Sequence, residues 1–142
     1  MRVSLSIFVF LSFLLSIDAM RKQGVAVKGK LMCGLTPAKD AKVRIVDLDT
    51  GPDPDDTLDE KRVGDDGLFS LTGTTHELTP IDPVLYIWHE CKDEDKACSR
   101  KLRFTIPKKF IHNGNPTEEQ WVDIGVLNLE GAFDKEEREC IK

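Results

Sequence analysis

From residue 25 onward, apolar and polar residues alternate with a period of two through most of the chain, the spacing of strands that bury one face. Val25, Val27, Gly29 and Leu31 fall on one side of the first such segment, and Lys28 and Lys30 on the other. The turn-rich GLTPAKD (34–40) leads into 42–49, where Val43 and Ile45 share a face before the apolar set shifts to Val46 and Leu48. That shift predicts a bulge, or burial on both faces. TGPDPDD (50–56) is too rich in Pro, Gly and Asp for regular structure. Residues 57–63 read as a short edge strand whose charges discourage pairing with another chain. Asp65-Asp66-Gly67 forms a turn into 68–74, and VLYIWHEC (84–91) is the most hydrophobic strand after the amino-terminal segment. In 101–106 the alternation sends Leu102, Phe104 and Ile106 inward and Arg103 and Thr105 outward. Residues 121–129 form the last strand, and DKEEREC (134–140) is a charged tail held by Cys140. No ten-residue stretch shows a 3.6-residue period, and 117–120 allows one helical turn. About seven short strands at this spacing predict an all-β antiparallel sandwich of two sheets.

The first nineteen residues stand apart from this pattern. Arg2 precedes fifteen uncharged residues, 3–17, and Asp18 and Ala19 close the run. A charged start, a short apolar stretch and a small residue at the end are the marks of a secretory signal peptide. Fifteen residues fall short of the roughly twenty that span a bilayer, and no second run of that length follows. The expected division is therefore a signal peptide at 1–19 and one domain at 20–142, secreted and extracellular, with no transmembrane segment. The 142 residues carry 20 Lys and Arg against 25 Asp and Glu, a net charge of −5. That balance argues against a general nucleic-acid binder.

Cys33, Cys91, Cys98 and Cys140 are an even set in a secreted chain, and predict two disulfides. His89, Cys91 and Cys98 offer three zinc ligands, but no paired CxxC accompanies them, so no metal is expected. Of the three pairings, Cys91–Cys98 with Cys33–Cys140 is favoured: one closes a short turn, the other ties the chain's beginning to its end. Sequence alone leaves the other two open.

Ordered motifs across nearly all of 20–142 then resemble a known family. They are VKGKLMCG (27–34), Pro37-Ala38, VRIVDLD (43–49), DGLFSLTG (66–73), Ile81-Asp82-Pro83, His89-Glu90-Cys91, Cys98-Ser99-Arg100-Lys101, IPKKFI (106–111), DIGVLNLE (123–130) and EREC (137–140). The series is similar to the nematode transthyretin-like proteins. The resemblance implies a transthyretin-like sandwich of two four-stranded sheets, and secretion, and assigns no ligand. Hydroxyisourate hydrolases, which share that fold, carry a His near the start of the first strand, an Arg in the second and a C-terminal Tyr-Arg-Gly-Ser. Here VAVKGKLM (25–32) has no His, and the chain ends REC-IK. Arg44 lies in the second strand, but alone it supplies no general base.

The remaining chemistry points to binding. His76, His89 and His112 are well separated, and His89, beside Trp88 and Glu90, has no nucleophile motif to serve. Nine carboxylates crowd 47–66 against Lys61 and Arg62, yet the EF-hand spacing fails at Thr57 and Leu58, and a solvated acidic loop is expected. Residues 96–109 reverse the imbalance, with six Lys and Arg and no acid. Arg100, Lys101, Arg103, Lys108 and Lys109 form the candidate patch for a cell surface, an extracellular protein or an anionic lipid headgroup. The alternative is a carrier of a small apolar ligand, with a hydroxyisourate-hydrolase-like enzyme third. No cofactor is expected, and the oligomeric state is left open.

Overall fold

The computed structural model describes residues 20–49, 55–93 and 97–140. The expected signal segment, most of the 50–56 loop and Lys96 lie outside them. Among the described residues ten strands follow in order: β1 Arg21–Cys33, β2 Thr36–Pro37, β3 Lys42–Asp47, β4 Asp56–Arg62, β5 Leu68–Glu77, β6 Pro83–His89, β7 Ser99–Thr105, β8 His112–Asn113, β9 Val122–Asn128 and β10 Glu137–Glu139. The seven expected strands are all present, and the extra three are only two or three residues long. The helical turn at 117–120 is a 3-10 turn, closed by Thr117 and Gln120 as a capping box.

Two sheets form the sandwich. In the first, β1 runs down the middle, with β5 antiparallel to it on one side and β9 on the other. In the second the order is β10-β7-β6-β3-β4, antiparallel throughout. The sandwich is antiparallel as expected except for the β1–β9 pair, which is parallel. The two strands lie at opposite ends of the sequence, so no tight hairpin fixes their relative direction. The apolar rows meet between the layers. Val43, Ile87 and Leu102 lie in register across three strands, as do Ile45, Leu85 and Phe104. They pack with Val25, Val27, Leu31 and Leu71 of the first sheet in one core. The expected bulge is present as a register shift between Ile45 and Val46, and β4 is the outer strand.

Two glycines shape the path from one sheet to the other. Gly67 takes φ +82° in the turn before β5, where Asp66 Oδ1 accepts the Leu68 N–H at 3.0 Å. A Cβ on Gly73 would lie 2.5 Å from the Leu58 carbonyl oxygen, so its bare backbone lets β4 cross close over β5.

The cysteines are all paired, but not as the spacing suggested. The bridges are Cys33–Cys91 and Cys98–Cys140, which corrects the favoured Cys91–Cys98 and Cys33–Cys140. The reason is register. Glu139 pairs with Ser99 across β10 and β7, which sets Cys140 against Cys98. Cys33 at the end of β1 meets Cys91 just past β6, with Cα atoms 5.6 Å apart, and the bond joins the two sheets.

Candidate anion-binding surfaces

The basic segment on β7 is divided by strand parity. Arg100 shares the inward face with Leu102 and is only 9% exposed, so it leaves the predicted surface patch. Its Nη1 donates to the carbonyls of Cys91 at 2.8 Å and Leu129 at 3.1 Å, and its Nη2 to Gly131 at 2.8 Å. Nε and Nη2 also grip the two carboxylate oxygens of Glu136. Hydrogen bonding to Arg100 holds the Glu136 carboxyl below its ordinary range, against the effect of burial.

Lys101 points outward but is not free. Its Nζ lies 2.8 Å from Glu139 Oε2, 4.2 Å from the Tyr86 ring centre and 5.3 Å from that of Trp88. Lys42 and Arg44 approach the same indole at 5.0 and 4.8 Å. Glu60 takes both of these cations as ion pairs. Trp88 Nε1 donates to Glu139 at 3.2 Å. Although Trp88 stands on the outward side of β6, this cover leaves it 4% exposed. Lys108 pairs with Asp82 at 3.2 Å. Lys109 lies over Phe110, and Arg103 is exposed with no ion pair among the described residues. The carboxylates that neutralise this face come mainly from β10 and β4, far from it in sequence.

A surface whose cations form no ion pair among the described residues lies on the first sheet, outside the predicted patch. Lys28 and Lys30 project from β1, and Lys61 and Arg62 reach the same open groove of about 620 Å³ from the end of β4. Cross-strand register sets Lys30 between Leu68 of β5 and Val126 of β9, and Lys28 between Ser70 and Asp123. Leu68 is 54% and Val126 69% exposed. Lys61 Nζ donates to the Ser70 carbonyl and Arg62 Nη1 to the Asp40 carbonyl, each at 2.9 Å. None of the four cations forms an ion pair among the described residues. The outward phase of Lys28 and Lys30 was legible in the alternation, whereas the arrival of Lys61 and Arg62 depends on the β4–β5 crossing.

His89 is buried at the end of β6, opposite Arg100 on β7. Its Nδ1 accepts the Cys91 N–H at 3.1 Å, which leaves the neutral ring's proton on Nε2, a buried atom with no partner among the described residues. Burial, reinforced by Arg100, pulls its pKa down to about 4. Such an imidazole is a weak base at neutral pH. The unfolded chain takes up the proton near 6.5 and the folded chain near 4. Between these values the unfolded state binds more protons, so stability falls as pH drops through the window, by about 3 kcal/mol in all. Glu136 and Glu139, both held below the ordinary carboxylate range by their Arg100 and Lys101 partners, lose most of their contribution at lower pH, as it falls through that range. Denaturation between pH 4.5 and 6.5 should therefore show a decline that His89→Gln removes, and NMR titration should place the imidazole midpoint near 4. A midpoint near 6.5 would overturn the assignment.

The acidic run is not wholly a solvated loop. Asp47 is buried, and Asp47, Asp49, Asp56 and Glu77 bring carboxylate oxygens within 4.8 Å of one another. Asp47 Oδ1 accepts the Asp82 N–H at 2.9 Å. Burial raises the Asp47 pKa, and repulsion from the other three carboxylates adds to the rise.

Comparison with known proteins assigns this arrangement to a lineage. The model of the Transthyretin-like family matches residues 28–107. Transthyretin-like protein 46 of Caenorhabditis elegans is 49% identical over 137 residues, covering 95% of this chain and 76% of that protein. Transthyretin-like protein 33 of the same organism is 44% identical over 125 residues, covering 87% and 86%. Transthyretin-like protein 5 is 40% identical over 119 residues, covering 84% and 85%. Their names state no reaction. With the sandwich, both disulfides and the ordered motifs in place, the chain belongs to the transthyretin-like family.

Proposed function

We propose that this is a secreted extracellular binding protein that attaches to anionic lipid headgroups at a cell surface. The observation that carries the reading is the groove on the first sheet, with Lys28, Lys30, Lys61 and Arg62 beside the exposed Leu68 and Val126. Cations next to exposed apolar side chains suit the boundary between headgroups and acyl chains. The contrast with β7 supports the choice of face: there Lys101 and Lys108 are already held by Glu139 and Asp82. Secretion is supported by the apolar 3–17 segment and by the pairing of all four cysteines, a state that oxidising compartments sustain.

Each basic residue near an anionic bilayer contributes about 1 kcal/mol, and salt screens the attraction. The oxidised protein should sediment with phosphatidylglycerol vesicles at low salt, less at high salt, and not with phosphatidylcholine vesicles. Lys28→Glu with Lys30→Glu should reduce that binding by roughly tenfold or more, since two attractions become repulsions. The melting curve should stay unchanged. Lys101→Glu with Arg103→Glu should have the smaller effect. Equal binding to neutral and anionic vesicles would overturn the proposal.

A further inference from the structure

The groove has more apolar wall than a site for a bare anion needs. Its floor is β1, and Leu68 and Val126 flank Lys30 on either side. Lysine stems add hydrocarbon beneath their ammonium groups. Among the described residues Asp123 is the one acid on the lining, and its Oδ1 is engaged by the Gly125 N–H at 2.8 Å. Four cations thus face one carboxylate, in a chain whose net charge is −5. A small inorganic anion would answer the charge and leave both apolar side chains in water. A neutral hydrocarbon would cover those side chains and leave the cations unanswered.

We propose that this groove binds one single-chain anionic amphiphile, a long-chain carboxylate, as a monomer. The carboxylate lies against Lys28, Lys30 and the Lys61–Arg62 pair, and the hydrocarbon chain lies along Leu68 and Val126. The groove's volume of about 620 Å³ falls within the range of small-ligand sites. This inference rests on the reading of the groove as an anion-facing surface and adds a defined ligand to it. The protein would then hold a lipid out of the bilayer, beyond resting on its surface.

The test is calorimetric titration of the oxidised protein with dodecanoate below its micelle concentration, beside dodecanol and acetate. Dodecanoate should bind, with dodecanol at least roughly tenfold weaker and acetate without measurable heat. Lys28→Glu with Lys30→Glu, and separately Val126→Asp, should each weaken dodecanoate by roughly tenfold or more with unchanged melting. Arg103→Glu, on the other sheet, should leave it untouched. Equal affinity for dodecanol would remove the cations from the site, and equal affinity for acetate would remove the apolar wall. Loss in Arg103→Glu to the same degree would place the ligand elsewhere. Vesicle binding without dodecanoate binding defeats this inference and leaves the surface reading standing, whereas failure of both defeats the two together.

Discussion

Arg100→Met is expected to lower stability by at least about 3 kcal/mol, the cost of removing one partner from a buried ion pair. The arginine joins four separate parts of the chain: its own β7, the Cys91 turn after β6, the Leu129 and Gly131 carbonyls after β9, and Glu136 ahead of β10. Methionine fills the volume of the stem but leaves three carbonyls without this donor and a half-buried carboxylate without its counter-charge. Arg100→Lys should also be costly, because an ammonium has three donors and no planar fork to hold both oxygens of Glu136. Glu136→Gln should cost less, about 1–2 kcal/mol, since the guanidinium keeps its carbonyl acceptors. Denaturant melts of the three variants check the order. If Arg100→Met melts with the wild type, the guanidinium has no structural role and belongs again to the surface patch.

The same residue shows where sequence reading stopped. The alternation that sends Leu102 and Phe104 inward also sends Arg100 inward, so its direction was present in the sequence. Charge argued for the surface, and the partners that reverse that argument are backbone carbonyls, which no sequence pattern displays. Trp88 is a second case: parity places it outward, but three cations from the two flanking strands and Glu139 from β10 beyond β7 cover it. Period-two patterning specifies which side chains share a face, and therefore recovered most strands and the core rows. Partners in adjacent strands depend on register and crossing, such as the approach of β4 to β5 at Gly73. The acidic tail illustrates the consequence. Residues 96–109 contain no acid, yet β10 brings Glu139 to Lys101 and the segment before it brings Glu136 to Arg100. A basic run in sequence became a largely ion-paired face, while four cations from two strands, which no window groups by charge, became the face without ion pairs among the described residues.

The two disulfides should behave alike in the unfolded chain and differently in the folded one. They link residues 58 and 42 positions apart, and chain entropy gives each about 4 kcal/mol, with only a few tenths between them. The nested pairing suggested by spacing would have set a long loop against a short one, roughly 2 kcal/mol apart. In the folded protein Cys33–Cys91 ties sheet to sheet at the core, where Cys91 is buried, so its removal should lower the whole cooperative transition. Cys98–Cys140 ties β10 to the outer edge of β7, so its removal should first release the tail. That opening would break the Trp88–Glu139 and Lys101–Glu139 contacts and expose the β7 edge to pairing with another chain. Cys33→Ala with Cys91→Ala should therefore show a single transition displaced by about 4 kcal/mol and no free thiol. Cys98→Ala with Cys140→Ala should show an early change in tryptophan fluorescence and faster amide exchange confined to 99–101 and 137–139 before global unfolding. Indistinguishable exchange in the two double variants would mean that the tail and the sandwich open as one unit.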